Sequence, residues 1–432
     1  MIPPRDGDTT PNEGVAHGSG AAHDAELPPA GLYLHIPFCV SHCPYCDFVV
    51  VAGREARGPA NRIGTFVRAL ERELDMRADA LDQRWGLPGT ATRPVLDSAY
   101  LGGGTPSLLP ADSIARLITR IRSRYGLASG AEVTLEINPG PDERGDAGAL
   151  RDAGVTRASI GAQSLTAAEL QSLGRRHSPE EVVETVRAAR AAGLASVNLD
   201  LLYDVPGATV ESWAGTLDAA LALEPDHLSL YALTLDDPDT EGITGPGGDH
   251  LPVAAGARRW RDRARSGQDD DRAAEMYELA DQRLAAAGFA WYEISNWARP
   301  GHESRHNLAY WHGRAWEAVG PGAHAFDGWS RRWNAARLDT YLTALLPADG
   351  SAPRLPAGGM EAMEAGGRDA ETAILALRTS TGLPAAALDR PAMGPSLTWA
   401  LDARLLERTA ADRLVLTLSG RLLSNELFVR LL

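Results

Sequence analysis

Residues 31–48 read GLYLHIPFCVSHCPYCDF and contain Cys39, Cys43 and Cys46, the only three cysteines among 432 residues. Three thiols at C-x3-C-x2-C spacing cannot form a disulfide framework, because one of them always stays unpaired. The spacing indicates a metal site instead. A structural zinc site needs a fourth ligand, from a nearby histidine or a distant residue, whereas a cubane iron–sulfur cluster held by three thiolates leaves one iron open to a small molecule. The iron–sulfur interpretation is favoured, with zinc as the alternative.

The composition is that of an acidic globular protein. The formal net charge is −15 and 44% of the residues are hydrophobic. Such acidity argues against sequence-independent binding to phosphates, so no nucleic-acid partner is expected. No stretch approaches the roughly 20 apolar residues that cross a bilayer, so no integral membrane segment is expected either. We expect a cytoplasmic protein, since a reducing compartment suits free thiols, with a disordered polar tail over residues 1–28.

Strand and helix patterns alternate after the cysteine stretch. Strands are predicted at residues 31–36, 98–101, 132–137, 156–161, 196–202 and 227–233. Helices are predicted between them, at residues 62–85, 114–125, 143–153, 179–192 and 210–223. This alternation predicts parallel strands joined by right-handed crossovers. We therefore predict an α/β fold, a partial (β/α)6 barrel over residues 29–237, because fewer than eight units suggests incomplete closure.

The remaining chain is predicted to hold an insertion and a second domain. Residues 238–346 continue the core and begin with a lid-like insertion, residues 238–271, that shows no clear periodicity. After the insertion, a helix is predicted at residues 272–287, a strand at residues 289–294 and a polar, aromatic loop region at residues 296–326. Residues 347–367 are rich in glycine, alanine and proline and are predicted to be a linker. Residues 368–432 predict a small, mainly helical, winged-helix-like domain. DNA binding by such a domain is the alternative, although the acidic surface gives it little support.

Several polar or glycine residues follow the predicted strands. In parallel α/β folds, ligands bind beyond the carboxyl ends of the strands. Gly103 and Gly104 lie in a glycine run that lets the backbone approach a ligand closely. Glu136 and Asp200 end otherwise apolar strands, and each has helix capping as its alternative role. Gln163 and Arg175 add an amide and a guanidinium, which suit a carboxylate or a hydroxyl.

The cysteine spacing, with Tyr45 just before the third cysteine, resembles the radical S-adenosylmethionine (SAM) superfamily. In that family the amino and carboxylate groups of SAM chelate the open iron. One electron from the cluster then cleaves the sulfonium to give a 5′-deoxyadenosyl radical, so the cofactor carries the difficult chemistry. The resemblance implies a [4Fe–4S] cluster on Cys39, Cys43 and Cys46, with SAM as a second cofactor.

The chain after residue 30 resembles the coproporphyrinogen III oxidase-like branch of this superfamily. The matching stretches include YLGGGTPSLL, EINPG, SIGAQSL, LGRRH and RHNLAYWHG. By position, the resemblance implies that Tyr33, Gly103 and Glu136 contact cluster-bound SAM. Other residues match positions that serve a second SAM in the true oxidase; they are Tyr45, Gly104, Thr105, Gln163, Arg175 and Asp200. Asp204 departs from the branch, which usually has glycine there, so the local turn is expected to differ.

Two features separate the haem-chaperone members of this branch from the oxidase. The true oxidase has a further cysteine two positions after the third cluster ligand, where this chain has Phe48. His306 begins the stretch HNLAYW, which matches the H-N-x-x-Y-W pattern of the chaperones, so His306 is expected to ligate haem iron beside Tyr310, Trp311 and Trp316. The alternative is a loop histidine that bonds to the backbone. The resemblance implies a chaperone that binds haem and passes it to haem-requiring membrane enzymes of respiration. An oxygen-independent coproporphyrinogen III oxidase is the alternative function.

Overall fold

The structure is a computed structural model that describes residues 26–58, 60–245 and 248–432, without the side chains of residues 365 and 366. Most of the predicted disordered tail lies outside the described residues. Its last residues are held against the fold, because the backbone N–H of Leu27 donates to the carbonyl of Asp327 at 2.7 Å. Glu26 pairs with Arg84 at 2.5 Å. The predicted tail boundary at residue 28 is therefore too late.

Six parallel strands form the centre of a twelve-stranded sheet, which confirms the predicted alternation. They are β1 (Gly31–Ile36), β2 (Leu96–Gly103), β3 (Leu127–Ile137), β4 (Arg157–Gln163), β5 (Ser196–Tyr203) and β6 (His227–Ala232). Each strand pairs in parallel with the next. The helices between them are α1 (Ile63–Trp85), α2 (Ala111–Arg124), α3 (Ala147–Ala153), α4 (Ala167–Ser172), α5 (Pro179–Ala191) and α6 (Val210–Leu221).

Helix α3 begins four residues later than predicted. Asp146 is its N-cap, and the carboxylate of Asp146 accepts from the backbone N–H of Ala149 at 2.7 Å. An aspartate cap of this kind marks a helix start, since it satisfies a backbone donor that has no partner inside the helix. Glu143, where the predicted helix starts, lies instead in the turn before that cap.

Both edges of the parallel sheet are extended by further strands, of which the sequence predicted only the one at residues 289–294. Beyond β6 lie β7 (Ala290–Glu293) and β8 (Asn296–Ala298). Beyond β1 lies β9 (Trp316–Val319), parallel to it, followed by the antiparallel strands β10 (His324–Phe326), β11 (Ser330–Asn334) and β12 (Ala357–Ala362). The predicted loop at 296–326 and linker at 347–367 are thus partly strand. The sequence AGGMEA of β12 has little strand propensity, and its glycines are needed because a Cβ at Gly359 would overlap the ring of Trp333.

The region predicted as a lid contains a helix, so the absence of structure predicted there is wrong. Helices α7 (Ala255–Arg265) and α8 (Asp270–Ala286) follow one another, and α9 (Arg305–Trp311) and α10 (Leu338–Leu345) come later. The buried face of α7 consists of Ala257, Arg261 and Ala264. Hydrophobic periodicity misses such a face, because its largest buried side chain is a charged arginine.

The C-terminal residues form a winged-helix-like arrangement with its own apolar core. Helices α11 (Ala365–Leu377), α12 (Gly394–Asp402), α13 (Leu418–Leu422) and α14 (Ser424–Leu431) accompany a short 3-10 helix at Ala385–Asp389. Strands β13 (Leu383–Pro384), β14 (Leu406–Arg408) and β15 (Arg413–Leu416) form a small sheet in the order β13, β15, β14. The carbonyl of Arg378 accepts from the N–H of Ile294 at 3.1 Å, which joins this part to β7.

The two faces of the central sheet differ in polarity. Leu32, Leu34 and Ile36 of β1 are fully buried in the main apolar core. Toward the barrel interior the strands carry polar side chains that bond to one another: Asn198 Nδ2 donates to Ser159 Oγ at 2.7 Å, and Asn198 Oδ1 lies 2.7 Å from His227 Nδ1. The interior is therefore a polar, hydrogen-bonded lumen that leads to the carboxyl ends of the strands. Within the described residues, no helix has both the length and the apolar character needed to cross a membrane.

Candidate functional site

A cavity of about 360 Å³ lies at the carboxyl ends of the parallel strands. The loop after β1 contributes all three cysteines to its lining. Eight further residues predicted to bind cofactors also line it: Tyr45, Gly103, Gly104, Thr105, Glu136, Gln163, Arg175 and Asp200. The structure thus brings together every predicted site residue except Tyr33 and His306.

The cysteine loop is packed so that its thiols are partly enclosed. Thr105 Oγ1 lies 3.5 Å from Cys39 Sγ as a donor, and Arg175 Nη1 lies 3.5 Å from Cys43 Sγ. Burial raises the pKa of Cys39 to about 12 and raises the pKa of Cys46 well above its usual value. The thiols of Cys39 and Cys46 are therefore protonated at neutral pH until a metal displaces the protons, as is usual for buried metal-binding cysteines.

The arrangement of the thiols fits a cluster better than a closed zinc site. In residues 26–58, 60–245 and 248–432, no three His, Cys, Asp or Glu side chains converge on a point that could hold one metal ion. His35 is already engaged, since its Nε2 bonds to the carbonyl of Val49 at 2.7 Å and its Nδ1 lies 3.0 Å from the hydroxyl of Tyr33. A cubane is held differently, because each thiolate binds a different iron. Three thiols spread around one cavity suit that mode of binding.

The glycine run at the end of β2 lines the cavity next to the cysteine loop. Gly103 has a φ of 110°, and a Cβ there would overlap the ring of His35. At Gly104 a Cβ would lie 2.8 Å from the carbonyl oxygen of Phe38. Glycine is required at both positions, because any side chain would push this backbone away from the cysteine loop. The loop can therefore approach a bound ligand with its main chain.

Two buried carboxyl groups face the cavity. Glu136 accepts from the Tyr100 hydroxyl at 2.9 Å and from the Gly103 N–H at 2.8 Å. Burial and then the charge of Asp200 raise the pKa of Glu136 to about 7. Burial also raises the pKa of Asp200, whose carboxylate accepts from Asn198 and from the Ser159 hydroxyl. Two such groups favour a ligand that brings positive charge, which stabilises their ionised forms.

A partly buried guanidinium, that of Arg175, lines the cavity beside Cys43. Arg175 donates through Nη2 to the carbonyl of Gly161 at 2.9 Å and to the side chain of Asn138. Gln163, at the end of β4, has a φ of 65°, in the left-handed region that a residue with a side chain rarely adopts. Backbone strain of this kind is concentrated at ligand-binding positions. Both residues are thus held where a ligand carboxylate or hydroxyl would contact them.

Tyr33 and His306 lie outside this cavity. Tyr33 packs its ring 6.1 Å from that of Tyr100, so it supports a residue of the cavity wall. His306 is 1% exposed, and both ring nitrogens are engaged: Nδ1 lies 2.9 Å from Ser98 Oγ and Nε2 lies 2.7 Å from the Tyr310 hydroxyl. Burial lowers the pKa of His306 to about 3, which keeps the ring neutral. Ligation of iron by His306 would require one of these bonds to break, and it stays a prediction.

Arg261 of α7 is a site residue that the sequence analysis missed. It is 2% exposed and donates to the carbonyls of Pro44 at 3.0 Å, Tyr45 at 3.2 Å and Cys46 at 3.0 Å. It also donates to the carbonyl of Asp236. The stretch ARRWRDRAR contains five arginines, and nothing in their spacing distinguishes Arg261. Helix α7 of the insertion therefore stabilises the cysteine loop by hydrogen bonds to its main-chain carbonyls.

Asp204 shows how the chain compensates for its departure from the family pattern. Its φ is 54°, a left-handed conformation that glycine adopts most easily and that aspartate tolerates better than most residues. The carboxylate is 5% exposed and forms an ion pair with Arg272 of α8. It also accepts from the backbone N–H of Asp269 at 3.3 Å. The turn is thus stabilised by contacts that a glycine would not make.

This chain is similar to known proteins over most of its length. The radical SAM superfamily model matches residues 33–220. The chain is 39% identical over 397 residues to the heme chaperone HemW of Mycobacterium tuberculosis, covering 92% of this chain and 93% of that one. The heme chaperone HemW of Escherichia coli is 36% identical over 299 residues, which cover 69% of this chain and 70% of the relative.

A solved structure shares the fold. The radical SAM enzyme coproporphyrinogen III oxidase (HemN) from Escherichia coli superposes with a TM-score of 0.73 at 22% sequence identity, covering 95% of this chain and 91% of the oxidase. At that identity the likeness concerns the fold alone, whereas the sequence relatives decide the family. The chain therefore belongs to the heme chaperone HemW family of the radical SAM superfamily, and this membership implies a [4Fe–4S] cluster and SAM as cofactors.

Proposed function

We propose that this protein is a haem chaperone that binds a [4Fe–4S] cluster, SAM and haem and delivers haem to haem-requiring proteins, among them respiratory membrane enzymes. The observation that carries the proposal is the 39% identity over 92% of the chain to a heme chaperone. The cavity at the strand ends supports it, because its thiols, carboxylates and glycine backbone suit the cluster and SAM.

The residues of the cavity have separate roles in this proposal. Cys39, Cys43 and Cys46 hold the cluster, which supplies the electron for SAM cleavage when it is bound. Tyr33, Gly103 and Glu136 hold SAM, with Tyr33 acting through Tyr100. A second SAM, or a substrate bound in its place, contacts the remaining predicted residues, which are Tyr45, Gly104, Thr105, Gln163, Arg175 and Asp200.

The chaperone is preferred over the oxidase because of Phe48. This side chain is 58% exposed at the edge of the cavity, where the true oxidase has a cysteine. An aromatic ring offers neither a thiol nor an acid for work on a porphyrinogen carboxylate. Phe48 also lines an apolar groove with Leu251 and Val253. Its role is therefore in the surface of this groove, and it supplies no reactive group at the position of the oxidase cysteine.

The two functions give opposite results in one experiment. The cluster-containing protein is incubated anaerobically with haem and, separately, with coproporphyrinogen III, SAM and a reductant. We expect a stoichiometric Soret band with haem and no protoporphyrinogen IX from the second mixture. Conversion of coproporphyrinogen III with consumption of SAM would overturn the proposal in favour of the oxidase.

Glu136→Gln is expected to weaken SAM binding about 10- to 100-fold, because hydrogen bonds to a charged group contribute roughly 1.5–3 kcal/mol. Calorimetry on the cluster-containing protein measures this. The pKa of Glu136 is raised to about 7, so its carboxylate predominates above that pH. Wild-type affinity for SAM should rise as the pH increases through 7, and the variant should lose this dependence. Equal affinity of the wild type and the variant for SAM at pH 8 would show that Glu136 only holds the Gly103 backbone in place.

His306→Ala is expected to lower haem binding while the iron–sulfur cluster is retained. The measurement is a haem titration followed at the Soret band, together with iron and sulfide content. His227→Asn is the matched control, because His227 is also a buried histidine of the lumen whose two ring nitrogens bond to Asn198 and Tyr292, both at 2.7 Å. If His306→Ala bound haem with wild-type affinity, His306 would have no part in haem binding.

A further inference from the structure

A second cavity, of about 450 Å³, lies at the opposite end of the sheet from the cysteines. We call it the lower cavity. It is enclosed by the end of α1, the residues just before β1, the start of β9 and strands β10 to β12. The cysteines follow the end of β1, whereas this cavity contacts Leu27 and Pro29 ahead of its beginning. Its volume is typical of ligand sites, which measure roughly 300–1,000 Å³.

Part of the wall of the lower cavity is aromatic and aliphatic, and the rest is polar or charged. Trp85, Trp316 and Phe326 line it, with Leu27, Leu81 and Leu355. The rings of Trp316 and Phe326 lie 5.2 Å apart, centre to centre. Flat apolar surfaces of this kind suit a large planar ring system, because aromatic faces bury much area with little loss of side-chain freedom.

The cavity also offers a cationic donor. Arg332 pairs through Nη2 with Glu317, and Arg84 pairs with Glu26, so the lining charges are largely matched. Nη1 of Arg332 is the exception, because it is buried and has no hydrogen-bond partner among the described residues. Burial lowers the pKa of Arg332 to about 9. Arg332 lines the cavity, and a shift of its side chain would bring Nη1 into contact with a ligand there. Because an unpaired buried donor is costly, an anionic group that then accepted from Nη1 would be bound favourably.

One lining residue can ligate iron. Met360 of β12 is 73% exposed and brings a thioether to the cavity. Among the described lining residues there is no histidine, cysteine or tyrosine. Methionine sulfur is a known axial ligand of haem iron. A single thioether is a weak ligand, which suits a protein that must release its haem to another.

The H-N-x-x-Y-W stretch reaches this cavity through two aromatic rings. The hydroxyl of Tyr310 is 2.7 Å from His306 Nε2, and the Tyr310 ring lies 4.5 Å from that of Trp316 in an edge-on arrangement. Trp316 is also fixed by a hydrogen bond from its Nε1 to the carbonyl of His324 at 2.8 Å. His306 therefore orients a wall of the lower cavity although it lies outside that cavity.

We propose that the lower cavity is the haem-binding site, in which Met360 ligates the iron, Arg332 binds a propionate and the rings of Trp85 and Trp316 contact the porphyrin. In this arrangement His306 is a positioning residue that acts through Tyr310, and its contribution is indirect. The inference rests on the proposed function, since that function supplies haem as the planar, anionic ligand.

The test is a pair of titrations, one with haem and one with iron-free protoporphyrin IX, on the cluster-containing protein. Met360→Leu keeps the volume and is expected to weaken haem binding about tenfold while binding of the iron-free porphyrin is unchanged. Arg332→Gln should weaken both ligands. His306→Ala should also weaken both, and His306→Gln, which can still hydrogen-bond Tyr310, should restore them. Phe48→Ala, in the apolar groove beside the cysteines, is the control and should bind both ligands as the wild type does.

The possible negative results distinguish a failure of the proposed function from a failure of the lower-cavity assignment. If the wild type binds no haem, the proposed function and this inference both fail. If the wild type binds haem but Met360→Leu and Arg332→Gln bind it with unchanged affinity, the lower cavity is not the site and the proposed function stands. Loss of haem binding in Phe48→Ala would place the haem beside the cysteines. A selective loss of haem over iron-free porphyrin in both His306 variants would make His306 the iron ligand and overturn its indirect role.

Discussion

Cys39→Ser, Cys43→Ser and Cys46→Ser are each expected to lose the iron–sulfur cluster, with a decrease of more than tenfold in bound iron and sulfide after anaerobic reconstitution. Three thiolates are the minimum for a cubane with one open iron, and the chain has no other cysteine to replace a lost one. Iron and sulfide analysis with the visible absorption spectrum measures the outcome. Full iron content in any single variant would contradict the assignment of that cysteine.

The loss of iron in these variants can be separated from unfolding. Burial raises the pKa of Cys39 and of Cys46, so at these two positions serine replaces a neutral thiol of the metal-free protein with a neutral hydroxyl. The metal-free Cys39→Ser and Cys46→Ser variants should therefore melt close to the metal-free wild type. Ser41→Ala is the matched control, because Ser41 lies in the same loop and lines the same cavity without supplying sulfur. It should retain the cluster.

The core of the fold could be predicted because its signals are local and periodic. Each parallel strand is a short apolar run that a helix follows, and the six-unit order follows from that alternation. The cavity residues could be predicted for a related reason. Glu136, Gln163 and Asp200 are polar residues in the carboxyl-terminal halves of largely apolar strands, and parallel strands bring their carboxyl ends to one edge of the sheet.

Apart from β7, the edge strands could not be predicted in the same way, because their structure depends on pairing with distant partners. Strand β9 is four residues long and is a strand because it pairs with β1, which lies nearly three hundred residues earlier. Strand β12 depends on β11 and on the ring of Trp333 above its glycines. Such strands reflect tertiary context, which overrides intrinsic propensity.

The sequence motif could not predict the position of His306 either. The sequence shows a histidine among aromatic residues, and this pattern suits both a ligand and a buried support. Only the folded chain shows that Glu132 of β3 accepts from the backbone N–H of Arg305 at 3.1 Å and of His306 at 3.2 Å. Those contacts hold the start of α9 against the lumen and direct the imidazole toward Ser98 and Tyr310.

Arg261→Met is expected to make the cluster labile and to destabilise the fold by about 3–5 kcal/mol, since it leaves buried carbonyls without a donor. Arg261 donates to the carbonyls of Pro44, Tyr45 and Cys46, so its guanidinium fixes the path of the chain between the second and third cysteines. Methionine fills a similar volume but donates no hydrogen bond. Arg261→Lys should recover part of the loss, because an ammonium keeps the charge yet cannot match a planar guanidinium with five donors.

The measurement is the rate of iron loss to a chelator, together with thermal unfolding of the metal-free and cluster-containing forms. Arg259→Met is the control, since Arg259 lies on the same helix, carries the same charge and is exposed. If Arg261 acted only through its charge on the cluster, Arg261→Lys would match the wild type and the metal-free form of Arg261→Met would unfold normally. Because the guanidinium bonds to main-chain carbonyls, we expect the metal-free Arg261→Met protein to unfold at a lower temperature as well. Unchanged iron release in Arg261→Met would show that the cysteine loop keeps its shape without α7, and the insertion would then have no part in holding the cluster.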